Sequence, residues 1–138
     1  MSFERSELAV RVYYEDTDSS GRVYHASYLR FLERGRTEWL RRQGMTHRDL
    51  AATSGIAFAV RSMQIDFLGA ARIDDLLSVE TQATKARGAS MEFRQRVVAE
   101  GKALVVATVL VAAIKDGRPA RLPVSLRQAL AHAQGQER

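Results

Sequence analysis

The 138-residue chain contains no cysteine and only two prolines, Pro119 and Pro123. The missing cysteine excludes disulfides, thiolate nucleophiles and cysteine-based metal sites. No apolar run approaches the length that spans a bilayer, so no integral membrane association is expected. The opening residues Met1-Ser2-Phe3-Glu4-Arg5 lack the apolar core of a signal peptide, so the expected location is cytoplasmic. No basic run reaches five residues, and no zinc finger, RNP motif or helix-turn-helix is visible, so nucleic acid is not an expected partner. There is also no internal repeat and no low-complexity linker.

What remains is 46% hydrophobic and 27% charged, the balance of a soluble globular protein. The length fits a single domain over residues 1–138 with one buried core. A net charge of +5 and a pI near 10.1 suit a solvated basic surface or a phosphate-bearing ligand.

Leu8, Val10, Val12 and Tyr14 alternate as a strand should, and a polar turn from Glu15 to Gly21 ends it. From His25 to Arg42 the period becomes helical. Tyr28, Leu32, Gly35 and Trp39 recur at steps of four, three and four, and Leu29, Phe31 and Leu40 widen the stripe. Burial of Leu32 and Trp39, at ~1.5–3 kcal/mol each, outweighs surface pairs such as Arg34–Glu38 and Glu38–Arg42 at ~0.2–0.5 kcal/mol each. Arg30, Glu33, Arg36 and Arg41 complete the same solvated rim. Gln43-Gly44 ends this helix, and Thr46 with Asp49 opens a short second one that stops at Gly55.

A strand over Ile56–Leu68 changes phase partway: Ile56, Phe58 and Val60 share one parity and Met63, Ile65 and Phe67 the other. One extra residue near Arg61-Ser62, a β-bulge or bend, restores the face. Leu77–Thr84, Ala89–Ala99 and Ala103–Ile114 follow as strands, separated by turns at Arg87-Gly88 and Glu100-Gly101-Lys102. The last four strands read as a meander. Asp116-Gly117 is a turn, Pro119 belongs at an edge or in a loop, and Pro123 opens a short helix over Val124–Ala131, with Gln134–Arg138 frayed. One broadly apolar helix must then lie across a mainly antiparallel sheet, giving an α+β domain.

The acidic turn sits just ahead of the long helix, whose first amides lack internal partners and whose dipole makes that end electropositive. A carbonyl oxygen gaining charge would be stabilised there, while Asp18 attacks or activates water: an arrangement suited to acyl transfer. On the residues alone, Asp18 is more simply a turn or capping carboxylate, since Asp is common in both roles. Glu15 and Asp16 lack a histidine–carboxylate spacing, so no metal or other cofactor is expected, and Asp16 reads as a turn residue. Glu33 reads as a helix ion-pair member, and His47 and His132 as surface residues.

The segment Tyr14-Glu15-Asp16-Thr17-Asp18-Ser19-Ser20-Gly21-Arg22-Val23-Tyr24-His25-Ala26-Ser27-Tyr28-Leu29 resembles the hotdog-fold acyl-CoA thioesterases. So do Phe31-Leu32-Glu33-Arg34 and Thr37-Glu38-Trp39-Leu40. Within that family the similarity is greatest to the branch of 4-hydroxybenzoyl-CoA thioesterase and the Tol–Pal-associated thioesterase. The resemblance implies a long helix wrapped by a curved five-stranded antiparallel sheet, with two subunits joined edge to edge and the dimers paired as a homotetramer. It implies an active site between subunits, hydrolysis of an acyl-CoA substrate, and Asp18 as nucleophile or general base. It also implies carbonyl-binding amides around Tyr24 and His25, and substrate contacts at Gly21, Val23 and Tyr28. Read from the residues alone, Tyr28 suits the core more than a pocket, Gly21 suits a turn conformation that other residues resist, and the His25 ring suits either a proton shuttle or packing at the helix start. Lys85, Arg87 and Ser90 would lie near the CoA phosphates. Ser27 departs from the asparagine of many relatives and would alter hydrogen bonding at the helix start. Hydrolysis of acyl groups on a carrier protein, or a non-catalytic acyl-CoA- or protein-binding dimer, are the alternatives.

Overall fold

A computed structural model describes residues 5–128 and Leu130. Strand β1 (Ser6–Arg11) leads through a 3-10 turn at Tyr14–Asp16 to the long helix α1 (His25–Arg42). A short helix α2 (His47–Ser54) follows, then strands β2 (Ala57–Phe67), β3 (Leu76–Arg87), β4 (Ser90–Ala99), β5 (Lys102–Lys115) and the two-residue β6 (Arg118–Pro119). Residues 124–128 and Leu130 are helical; the rest of the predicted last helix, the frayed tail and His132 lie outside the described residues.

Every strand pairing is antiparallel, in the order β1-β3-β4-β5-β2, with β6 beside β5. The expected meander is therefore correct for β3, β4 and β5 only. β2 does not pair with its sequence neighbour β3 but lies at the far edge against β5. Its register shifts between Val60 and Ser62, where the phase change predicted a bulge. Pro119 sits at an edge, as its missing N–H requires.

Helix α1 lies across one face of the sheet and buries Tyr28, Phe31, Leu32, Trp39 and Leu40. Trp39 meets Phe93 of β4 edge to face, centroids 5.1 Å apart. Leu29, expected in this stripe, is instead exposed. Gly35 marks the closest approach. A Cβ there would stand 2.7 Å from Thr81 Oγ1 and 2.8 Å from Val79 Cγ1, so only glycine lets the helix backbone come so near the strand.

Beneath that contact lies a buried polar cluster. Gln95 Nε2 donates to Leu32 O and to Thr81 Oγ1, both at 2.9 Å, and its Oε1 accepts from Arg36 Nη1 at 3.0 Å. Arg36, assigned from sequence to the solvated rim, is thus drawn between helix and sheet. Glu38 pairs with Arg41 at 3.4 Å, not with Arg34 or Arg42, and Glu33 makes no ion pair among the described residues. No helix among the described residues is long and apolar enough to cross a membrane.

Candidate active site

The chain between β1 and α1 is a small hairpin. Thr17 and Val23 form an antiparallel bridge, Asp18 N donates to Arg22 O at 2.9 Å and Gly21 N to Asp18 O at 3.2 Å. Gly21 adopts φ +79, a left-handed conformation that favours glycine. The far arm is anchored to the segment before β3: Val23 N donates to Ala71 O at 2.9 Å, and Ile73 N to Gly21 O at 3.2 Å.

Asp18 stands exposed at this hairpin. Its Oδ1 accepts from Ser20 N (2.8 Å) and Ser20 Oγ (2.5 Å), the closed loop that Asp forms with a backbone amide two residues on. Those bonds, the hydroxyl first, hold its carboxyl below the ordinary aspartate range. Oδ2 has no hydrogen-bond partner among the described residues. The carboxylate is therefore ionised, oriented through one oxygen and open at the other.

Asp16 does structural work, as its sequence reading held. It is buried, its Oδ2 accepts from Tyr13 N at 2.8 Å, and its Oδ1 pairs with Arg30 at 3.2 Å. Ser27 joins the same knot, donating to Asp16 O at 3.1 Å and accepting from Arg30 at 3.2 Å. The departure at Ser27 thus gives the helix start a short tether in place of a longer amide.

Tyr24 caps α1 with extended backbone, but its amide is committed to Asp16 O at 3.0 Å. The free donors begin one residue later than expected. Among the described residues the amides of His25 and Ala26 meet no acceptor, whereas Ser27 N bonds Tyr24 O at 2.8 Å. The His25 ring stacks on Phe67 at the end of β2, centroids 4.2 Å apart and 16° from parallel. That contact fixes the helix start against the sheet edge.

Within one subunit, several of the residues expected near the substrate also serve the scaffold. Val23 is buried. Tyr28 is also in the core, its hydroxyl accepting from Ala71 N at 2.9 Å, and burial raises its phenol above the ordinary range. Gly21 serves the turn. Lys85, Arg87 and Ser90 lie at the β3–β4 turn, the opposite end of β3 from the Asp18 hairpin. At about 3.3 Å per residue along a strand, one subunit cannot bring them together with Asp18.

Sequence reading missed a second feature, a cleft of about 750 Å³ bounded by α1, α2 and the first half of β2. Its floor includes Leu40, Phe58, Met91, Phe93 and Val111, and Arg36, His47 and Glu33 reach its walls. His47, expected as a plain surface residue, lies 3.1 Å from Thr37 Oγ1 and packs against Phe58. The parity of Gln95 with Phe93 and Val97 was the available signal, since an inward amide must find inward partners. Asp18 does not line this cleft.

Comparison with known proteins draws these features together. Residues 20–106, from the Asp18 hairpin to the middle of β5, match the model of the Thioesterase superfamily. Acyl-CoA thioesterase YbgC of Haemophilus influenzae is 45% identical over 125 residues, covering 89% of this chain and 92% of that protein. Acyl-CoA thioester hydrolase YbgC of Escherichia coli O157:H7 is 47% identical over 120 residues, covering 85% and 89%. The crystal structure of a probable thioesterase from Bartonella henselae superposes with a TM-score of 0.84 at 41% identity, covering 87% of this chain and all of that one. With its curled antiparallel sheet, central helix and acidic hairpin, the chain belongs to the thioesterase superfamily and has its hotdog fold.

Proposed function

We propose that the protein hydrolyses acyl-CoA thioesters to a free acid and CoA, with Asp18 as nucleophile or general base. The observation that carries this reading is an ionised, half-tethered carboxylate on the hairpin that leads into unpaired helix amides. The carbonyl carbon is attacked either by Asp18 Oδ2, giving a mixed anhydride that water then opens, or by water deprotonated by Asp18. In either route the carbonyl oxygen takes the electron pair and rests against the His25 and Ala26 amides. CoA departs as its thiolate when the carbonyl re-forms.

The reading includes a second copy of the chain. β2 is eleven residues long and, among the described residues, paired on one side only. Its free edge carries partly exposed Val60 and Phe67, and a long apolar edge of this kind is a template for another strand. Two β2 edges paired antiparallel about their midpoints set Phe67 of one copy beside Ala57 of the other. The His25 end of one helix then faces the cleft of its neighbour. The β3–β4 turn stands at that same level, because Ser90 pairs with Ala112 and Ala112 with Ala59. Lys85, Arg87 and Ser90 thereby approach the reaction centre of the second copy, where CoA phosphates would need cations. The assembly is a homodimer or a homotetramer built from it.

The test is thiol release from a panel of acyl-CoAs by wild type and Asp18→Asn. Turnover is expected to fall ~10²–10⁴-fold in a variant that melts as wild type does. Near-normal hydrolysis by folded Asp18→Asn would overturn the assignment. Light scattering of Val60→Lys, expected to shift the protein toward monomer and lower turnover with it, tests the paired edge.

A further inference from the structure

We infer that the cleft between α1, α2 and β2 receives the far end of the acyl group, and that Arg36 makes it select tails ending in an oxygen acceptor (carboxylate, hydroxyl or keto) over plain alkyl tails of equal length. This rests on the proposed acyl-CoA hydrolysis across a pair of subunits.

Arg36 is a cation in the wall of a cleft whose floor is apolar. Its one hydrogen bond among the described residues runs from Nη1 to Gln95 Oε1 at 3.0 Å. Gln95 cannot turn away, because its Nε2 is held by Leu32 O and Thr81 Oγ1. The guanidinium is therefore fixed in direction by a neutral partner. No carboxylate lies within 4.0 Å of it among the described residues. Glu33, one turn earlier on the rim, attracts it without bonding, and burial lowers its pKa despite that attraction. His47 and Arg48, from α2, face the same space.

The remaining donors, Nε and Nη2, have no acceptor among the described residues, yet neither is sealed from solvent. They are open to whatever enters. An oxygen at the tail's end takes charge-assisted bonds from a planar fork already in place. An alkyl end displaces water from those N–H groups and offers nothing in return. A site built to bond a polar group rejects the analogue lacking it, because its own donors are left unpaired. Glu33 on the rim disfavours a carboxylate more than a hydroxyl, so the neutral acceptor is the more tolerant ligand.

The experiment measures kcat/KM for matched CoA thioesters, hexanoyl against ω-hydroxyhexanoyl and adipoyl, by thiol release. Wild type is expected to favour at least one oxygen-ended tail about tenfold, the scale of one charge-assisted bond. Arg36→Met is expected to abolish that preference, bringing kcat/KM for the three thioesters to within about twofold of one another. Absence of preference in wild type, or its survival in folded Arg36→Met, overturns the inference. Should Arg36→Met fail to fold once Gln95 loses its partner, the wild-type ratio and Arg36→Lys decide. A preference unchanged in Arg36→Lys, which loses the fork, counts against the geometry. Hydrolysis of all tails without discrimination defeats this inference alone, whereas hydrolysis of none defeats the function on which it stands.

Discussion

Helix α1 meets the rest of the molecule in two contrasting ways. At its leading end the hairpin 17–23 is held by backbone bonds, and its exposed Asp18 carboxylate is tied to Ser20 through one oxygen and open at the other. Halfway along, at Gly35, the helix presses onto β3 so closely that a methyl group has no room. The first contact leaves a carboxylate oxygen open; the second is packed to contact at Gly35. The contrast shows how one helix can carry exposed polar groups at its leading end while its middle is clamped to the sheet.

Substitutions at the two ends should therefore fail differently. Asp18→Asn should remove ~10²–10⁴-fold of turnover yet leave the melting temperature close to that of wild type, read by thiol release and thermal melting together. Gly35→Ala should do the reverse. Overpacking of about 1–3 kcal/mol exceeds the ~1 kcal/mol that alanine gains in a helix, so the melting temperature falls while kcat per folded molecule persists. Equal loss of both properties in either variant would erase the distinction.

Tyr28 lies between these regions. Tyr28→Phe leaves the Ala71 amide without its acceptor, and a loss of about 1–3 kcal/mol is expected in denaturant titration, with KM unaltered. A raised KM instead would return Tyr28 to the substrate. The smallest effect concerns pH. If Asp18 is the nucleophile or base proposed above, only its ionised form can act, and its Ser20 bonds hold it below the ordinary carboxylate value. Activity should thus persist below that value on the acid side, and Ser20→Ala should move the acid limb upward. An unmoved limb in the kcat/KM profile would show that another group sets it.

Much of this was legible beforehand because it is local. The bounds of α1 follow from the spacing of Tyr28, Leu32, Gly35 and Trp39, and the β2 bulge from the parity change at Arg61-Ser62. Neighbour order was not legible. Periodicity tells which face of β2 is buried, but not that Ala57–Phe67 passes over β3 and β4 to reach β5. At the site, the Asp18 hairpin and the His25 helix start could be read from residue types. Val23 and Tyr28 could not be told from ligand contacts, because a motif does not distinguish a side chain facing the substrate from one holding the hairpin. Arg36 was counted with the solvated charges, since helical spacing takes no account of Gln95 across the gap.

The placement of β2 also bears on how the chain assembles in time. Made early in synthesis, it must wait for β5, which emerges after two more strands. β3, β4 and β5 can zip together through tight turns, whereas closing β2 onto them spans a long loop, a slow kind of step. Amide exchange should accordingly find β2 protected last during refolding. The edge that would recruit a second copy then becomes presentable only once its own subunit is complete.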